Sequence, residues 1–178
     1  MEPAPVHSGL KPEFPADLTR IEHLGIAVRS LAESEPLYTR LLGTPPYQKE
    51  TVESEGVNTL FYRVGPNKVE LLESLRPEST IARFLESKGE GLHHVAYAVD
   101  DIRVTMQRLQ NQGFQLLSAE PKVGAERQWV CFVHPRSAGG ILVELCQAMP
   151  AEEDLPTTPA SEESPTSSSV GMGFLRRG

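Results

Sequence analysis

Two copies of one short pattern occur in the chain, and this internal repeat constrains the fold more than any other feature. The first copy is HLGIAV, which begins at His23, and the second is HVAYAV, which begins at His94. A second pattern also occurs once in each half, as KVEL from Lys68 and as LVEL from Leu142. Apolar residues recur at every second position of these runs, as in half-buried strands. The repetition predicts two copies of one structural unit that pack against each other.

Each half is interpreted as a strand, a helix and three further strands. Ser30 and Asp101 are placed to cap the helices, and Gly43 and Gly113 are placed to end them. The predicted inward faces are Leu31, Leu37, Tyr38, Leu41 and Leu42 in the first helix and Ile102, Met106 and Leu109 in the second. The later strand candidates span about 47–53, 58–64 and 67–73, then about 114–118, 128–133 and 140–146.

The predicted fold class is therefore α+β, with two βαβββ modules that form a cleft. The modules span about 19–76 and 90–148, within a domain of residues 19–148. A short linking helix is predicted over residues 79–88, with Ile81, Phe84 and Leu85 facing inward and Gly89 ending it.

Both ends of the chain are poor in core residues. Residues 1–18 hold four prolines, and residues 149–178 combine prolines with many serines and acidic residues. Such segments bury too little apolar surface to offset the entropy of ordering the chain. Both tails are therefore predicted to be disordered.

Charge and hydropathy exclude several classes of partner. The formal net charge is −7, without a basic stripe, which argues against nucleic acid. No apolar run approaches the roughly 18 residues that span a membrane, and the N-terminal residues lack a secretory signal. We expect a cytoplasmic protein that acts on a small molecule. Cys131 and Cys146 lie in apolar runs and are expected to be buried small side chains.

The repeat places one histidine and one glutamate at matching positions of each half. His23 precedes Glu70, and His94 precedes Glu144. A lone histidine or glutamate of this kind is usually structural, but the same pair occurs twice, inside apolar strands where a carboxylate needs a partner. Two imidazoles and two carboxylates that converge on one cleft suit one divalent ion such as Zn²⁺, Co²⁺, Ni²⁺ or Mn²⁺. His93 is expected to face the opposite side of its strand.

The chain resembles the vicinal-oxygen-chelate superfamily, whose members share the glyoxalase fold. The stretches that carry the resemblance are IEHLGIAVRSL, KVELLESLRPESTIARFLESKGEGLHHVAYAVDDI and HPRSAGGILVELCQ, and the resemblance covers roughly residues 19–148. Within the superfamily, the chain is most similar to the methylmalonyl-CoA epimerase family. This resemblance implies two βαβββ modules around a metal-centred cleft, a homodimer and an acyl-CoA substrate whose (R) and (S) forms are interconverted.

The resemblance also implies roles for individual residues. The family's metal ligands fall on His23, Glu70, His94 and Glu144, and Glu144 is expected to act as an acid–base group as well. Some epimerases have a glutamate where this chain has Thr59. The second acid–base group then has to come from another carboxylate.

Three carboxylates are available for that second role. Glu70 is favoured because its place in the repeat mirrors that of Glu144. Glu53 and Glu55 lie in a charged segment that is otherwise interpreted as an exposed turn.

A turn-rich loop, HPRSAGG over residues 134–140, precedes the last strand. Arg136, Ser137 and Gly139 are predicted to bind the acyl group or the phosphates of the substrate, with backbone amides as further donors. The alternative is an ordinary hairpin turn with an exposed arginine.

Three other functions of the same fold stay open at this point. A lactoylglutathione lyase uses a comparable set of ligands. An Fe(II) dioxygenase needs two histidines and one carboxylate, so Glu70 would crowd its ion. A non-enzymatic protein that sequesters a ligand needs no metal at all.

Overall fold

The computed structural model describes residues 17–150, so the two predicted tails lie almost wholly outside the described residues. Three helices and eight strands are found there, with single 3-10 turns at Ala125–Arg127 and Pro135–Ser137. In chain order they are β1 Leu18–Ala27, α1 Leu31–Leu42, β2 Gln48–Val52, β3 Val57–Val64, β4 Asn67–Ser74, α2 Thr80–Lys88, β5 Gly91–Val99, α3 Ile102–Asn111, β6 Lys122–Val123, β7 Gln128–Val133 and β8 Val143–Ala148. None of these helices is long and apolar enough to cross a membrane.

All eight strands belong to one mixed sheet in the order β2-β3-β4-β1-β5-β8-β7-β6. The antiparallel pair β1 and β5 lies at its centre. On either side, β4 runs parallel to β1 and β8 runs parallel to β5. The order reads the same from both edges when the modules are exchanged, which confirms the predicted α+β fold of two βαβββ units.

The helices begin and end close to the predicted residues. The side chain of Ser30 accepts a hydrogen bond from the amide of Glu33, and Asp101 accepts from the amides of Arg103 and Val104. Gly43 ends α1 in the left-handed conformation that glycine adopts readily. The linking helix α2 lies within the predicted range and ends at Gly89; at its start, the side chain of Ser79 accepts a hydrogen bond from the amide of Ala82.

The core consists of apolar clusters between each helix and the sheet. Ile102 and Met106 of α3 pack with Cys131 of β7 and Leu145 of β8. In the first module, Leu31 packs with the strand residues Tyr62 and Leu71, while Ile81 and Leu85 of α2 form a separate cluster with Leu72. Both cysteines are buried and free.

Three local predictions are wrong. Leu37 and Leu41 of α1 are 54% and 70% exposed, because the helix packs through Leu31, Tyr38 and Leu42 instead. Residues 114–118 form only an isolated bridge from Leu116, and the edge strand is β6. The last strand starts at Val143 rather than at 140, because Gly139 and Gly140 adopt positive φ angles that a strand does not contain.

Candidate metal centre

Matching irregularities in the two central strands place the histidines. Along β1, Ile21 pairs with Tyr97 but His23 pairs with Ala96, so Glu22 is an extra, bulged residue. Along β5, His94 pairs with Gly25 but Leu92 pairs with Ile26, so His93 is bulged in the same way. A bulge breaks the alternation of side chains and re-aims those beside it.

The four predicted ligands converge on one point. Nε2 of His23 lies 3.2 Å from Oε2 of Glu70, 3.2 Å from Oε2 of Glu144 and 2.9 Å from Nε2 of His94. Nε2 of His94 lies 2.9 Å from the Glu144 oxygen and 3.8 Å from the Glu70 oxygen. Glu70 comes from β4 and Glu144 from β8, the two strands that flank the central pair in parallel.

All four side chains are buried. Burial acts to lower the pKa of His23, but hydrogen bonds with Glu144, Glu22 and Glu70 raise it well above its ordinary value. Burial acts to raise the pKa of the Glu144 carboxyl, but the imidazoles of His94 and His23 hold it well below its usual range. The site therefore stabilises positive charge beside its carboxylates.

The donor set fits a divalent cation. Ligand atoms of His23, His94 and Glu144 all lie within 4.8 Å of one another, and Glu70 lies within hydrogen-bonding range of His23. Buried carboxylates need a compensating charge, and two nitrogen with two oxygen donors are typical of borderline ions such as zinc. The predicted grouping of these four residues is thus found in the structure.

On the Nδ1 side of His23 lies a group of charged residues that the sequence analysis did not single out. Glu22 Oε2 lies 2.5 Å from Nδ1 of His23, and its other oxygen pairs with the ammonium of Lys68. Lys68 also pairs with Glu126, which accepts a hydrogen bond of 2.8 Å from the hydroxyl of Tyr47. The alternation of β4, in which Lys68 and Glu70 share a face, was the available signal for Lys68.

Within this group, burial acts to raise the pKa of Glu22, but hydrogen bonds with His23 and Lys68 outweigh this effect. The pKa of Glu22 is therefore lowered from its ordinary value. Burial likewise acts to lower the pKa of Lys68, and its hydrogen bonds with Glu126 and Glu22 raise it. Glu22 is therefore a carboxylate and Lys68 an ammonium ion.

His93 does not lie on the opposite face, as the sequence predicted. It lines the same cavity as His94, and the Nδ1 atoms of the two rings lie 2.9 Å apart. Burial and the neighbouring His94 lower the pKa of His93 to about 4. The bulge in β5 accounts for the error, because strict alternation assumes a regular strand.

The cavity around the four residues has a volume of about 240 Å³. Its wall is largely apolar, with Phe61 and Leu72 from the first module and Phe132 and Leu142 from the second. Thr59 is 1% exposed and also lines the cavity, with its hydroxyl directed to the backbone oxygen of Glu50.

The other candidate carboxylates and the predicted loop lie in different places. Glu55 lines the cavity, whereas Glu53 is exposed. Arg136, Ser137 and Gly139 are not part of the cavity wall, and Ser137 instead accepts a hydrogen bond from the amide of Gln115. Their role in binding substrate stays a prediction.

Known proteins resemble this chain over both modules. The sequence pattern of the Glyoxalase/Bleomycin resistance protein/Dioxygenase superfamily matches residues 22–132. The chain is 38% identical to a Bos taurus protein named mitochondrial methylmalonyl-CoA epimerase. The aligned region of 143 residues covers 80% of this chain and 81% of that protein.

Solved structures agree with this similarity. The crystal structure of methylmalonyl-CoA epimerase from Mycobacterium tuberculosis superposes on this chain with a TM-score of 0.73 and 30% sequence identity. The matched region covers 75% of this chain and 91% of that one. A methylmalonyl-CoA epimerase in complex with methylmalonyl-CoA and NH4+ has a TM-score of 0.71 and 30% identity, over 74% of this chain and 95% of that one.

Proposed function

This chain belongs to the Glyoxalase/Bleomycin resistance protein/Dioxygenase superfamily, and we propose that it interconverts the (R) and (S) forms of methylmalonyl-CoA. It is an isomerase of the epimerase type. The observation that supports this best is the convergence of His23, His94, Glu70 and Glu144 in a chain that is 38% identical to a named epimerase. The lyase, dioxygenase and sequestering alternatives have no comparable support.

One divalent ion is proposed to bind to these four residues, with Co²⁺, Zn²⁺, Mn²⁺ and Ni²⁺ as candidates. Such an ion supplies Lewis acidity that stabilises negative charge on substrate oxygens. Its presence can be measured by elemental analysis of protein purified without a metal-binding tag. We expect about one ion per chain, because the four donors form one cluster.

The ligand assignment is tested by His23→Ala and His94→Ala, each of which is expected to remove the ion. His134→Ala is the matched control, because His134 lies in the turn before β8, where its Nδ1 accepts a hydrogen bond from the amide of Arg136. Full metal content in either ligand variant would contradict the assignment.

The reaction requires a proton to leave the carbon between the thioester and the carboxylate and to return on the opposite face. The electron pair of the broken C–H bond moves onto the thioester oxygen and returns when the new C–H bond forms. We propose Glu144 and Glu70 for the two proton transfers, since they reach the site from β8 and β4, on either side of the central strands. Glu55, at the cavity wall, is the alternative to Glu70.

The apolar wall has a separate role in this scheme. Phe61 and Leu72 on one side and Phe132 and Leu142 on the other restrict water around the acyl group. Exclusion of water strengthens the electrostatic interactions that stabilise the developing negative charge.

Exchange of the substrate's α-hydrogen in heavy water tests the proposal directly. When the wild-type protein is given a single stereoisomer of methylmalonyl-CoA, it is expected to incorporate deuterium at the α-carbon. Glu144→Gln is expected to do so far more slowly. Glu120→Gln is the control, because Glu120 is an exposed residue that pairs with Arg103. Turnover of the glutathione hemithioacetal without exchange of methylmalonyl-CoA would overturn the proposal in favour of a lactoylglutathione lyase.

The homodimer and the cytoplasmic location also stay predictions. Leu37 and Leu41 leave an apolar surface on α1 that a second copy could cover. Sedimentation equilibrium across a range of protein concentrations measures the oligomeric state.

A further inference from the structure

Each ligand histidine is contacted at Nδ1 by the residue that precedes it in the chain. Glu22 Oε2 lies 2.5 Å from Nδ1 of His23, and Nδ1 of His93 lies 2.9 Å from Nδ1 of His94. In both cases the contacted nitrogen is the one that does not face the four-residue cluster, because Nε2 does. Glu22 and His93 are also bulged residues in the pairing of the two central strands. The repeat therefore places a hydrogen-bonding partner at Nδ1 of each ligand histidine.

The partner of His23 decides which of its nitrogens carries the proton. A carboxylate only accepts hydrogen bonds, so the proton between Glu22 and His23 belongs to Nδ1 of His23. Neutral His23 then has its lone pair on Nε2, the atom directed at Glu70 and Glu144. An anionic partner also makes the imidazole a stronger donor to a cation.

The partner of His94 acts through a different group. Two ring nitrogens face each other, so one must donate and the other must accept. Nε2 of His94 has a lone pair only when its Nδ1 carries the proton, which requires His93 to accept through Nδ1 and to be protonated on Nε2. The ring of Phe84 packs edge-on against His93, with centroids 4.9 Å apart, and limits its rotation.

We propose that Glu22 and His93 are positioning residues that fix the tautomer and orientation of His23 and His94, so that both present Nε2 to one divalent ion. The inference rests on the proposed function only in taking the cluster as a metal centre.

Glu22 has a second set of contacts, which the experiment must separate from its effect on His23. Lys68 lies between Glu22 and Glu126 and pairs with both. Glu22→Gln changes this ion group and the contact with His23 together. Glu126→Gln removes a carboxylate from the same lysine but leaves His23 untouched, so it is the matched control.

The test measures the affinity of the metal-free protein for Zn²⁺ and Co²⁺ by competition with a chelator. Glu22→Gln keeps an acceptor for His23 but removes its negative charge, and His93→Phe removes the acceptor for His94. Each is expected to weaken binding by about 10–100-fold, the usual effect of changing an outer partner of a ligand histidine. Phenylalanine at position 93 retains a ring against Phe84. Glu126→Gln is expected to bind as the wild type does. Equal losses in Glu22→Gln and Glu126→Gln, or wild-type affinity in Glu22→Gln, would overturn the inference for His23.

The tautomers provide a second readout that needs no variant. Long-range ¹H–¹⁵N correlation spectra of the Zn²⁺-loaded wild-type protein are expected to show protonated Nδ1 in His23 and His94 and protonated Nε2 in His93. A proton on Nδ1 of His93 would overturn the inference for His94. Both measurements are made without substrate, so a protein that behaves as expected here but does not exchange methylmalonyl-CoA would refute the proposed function alone.

Discussion

Replacing Gly25 by alanine is expected to push the His94 ring out of the candidate metal centre. Gly25 lies opposite His94 in the pairing of β1 with β5. A Cβ atom at Gly25 would lie 2.1 Å from Cε1 of His94 and 2.5 Å from each ring nitrogen. Gly25 does not have a positive φ angle, so an added side chain costs no backbone strain there. The predicted effect is therefore purely steric.

The required displacement can be worked from these distances. Ordinary van der Waals contact begins at 3.4 Å, so the ring must retreat by about 1.3 Å from its 2.1 Å approach. Phe132, whose ring packs edge-on with centroids 5.7 Å apart, and His93 obstruct that retreat. Ligand distances tolerate only about ±0.2 Å, so a donor displaced this far no longer coordinates.

We expect Gly25→Ala to reduce metal affinity as much as His94→Ala does. The expected loss is more than about 100-fold, which is the upper end of the range for losing a hydrogen-bonding partner of a metal ligand. The overpacking is expected to cost about 1–3 kcal/mol of unfolding free energy. Competition with a chelator measures the first quantity, and urea unfolding of the metal-free protein measures the second.

Ala96→Gly is the control for this experiment. Ala96 occupies the equivalent place in the repeat and pairs with His23, so a Cβ is already tolerated there. Its removal is expected to cost about 0.5–1 kcal/mol of stability and to leave metal affinity unchanged. The steric reasoning is refuted if Gly25→Ala binds metal like the wild type and retains His94 as a ligand in a crystal structure.

Other substitutions are expected to act on stability. Lys68→Met leaves the carboxylates of Glu22 and Glu126 without their shared cation and is expected to lower the unfolding free energy by about 3–5 kcal/mol in urea. Tyr47→Phe removes a hydrogen bond between the modules and is expected to cost about 1 kcal/mol; an unchanged urea midpoint would show that the contact contributes nothing. Ile102→Ala opens a cavity beneath α3 and is expected to cost about 2–5 kcal/mol, with metal affinity unchanged in the folded protein by chelator competition.

Much of the candidate site could be predicted because its signal is a repeat. His23 and Glu70 recur as His94 and Glu144, and duplicated units that pack with twofold symmetry bring equivalent residues together. The two helix caps and the βαβββ order also depend on short-range patterns of apolar and capping residues. Leu37 and Leu41 look equally suited to the core in the helical pattern, and only the position of α1 on the sheet leaves them in solvent.

The sequence by itself determined the modules, the order of their elements and the identity of the four candidate ligands, since each is encoded by neighbouring residues or by repetition. Only the tertiary structure decided that Glu22 and His93 face the histidines beside them and that Gly25 lies against His94. Those placements depend on the bulged register between β1 and β5, two strands far apart in the chain. A register between distant strands is fixed by the packing of the whole sheet, and no local pattern of residues specifies it.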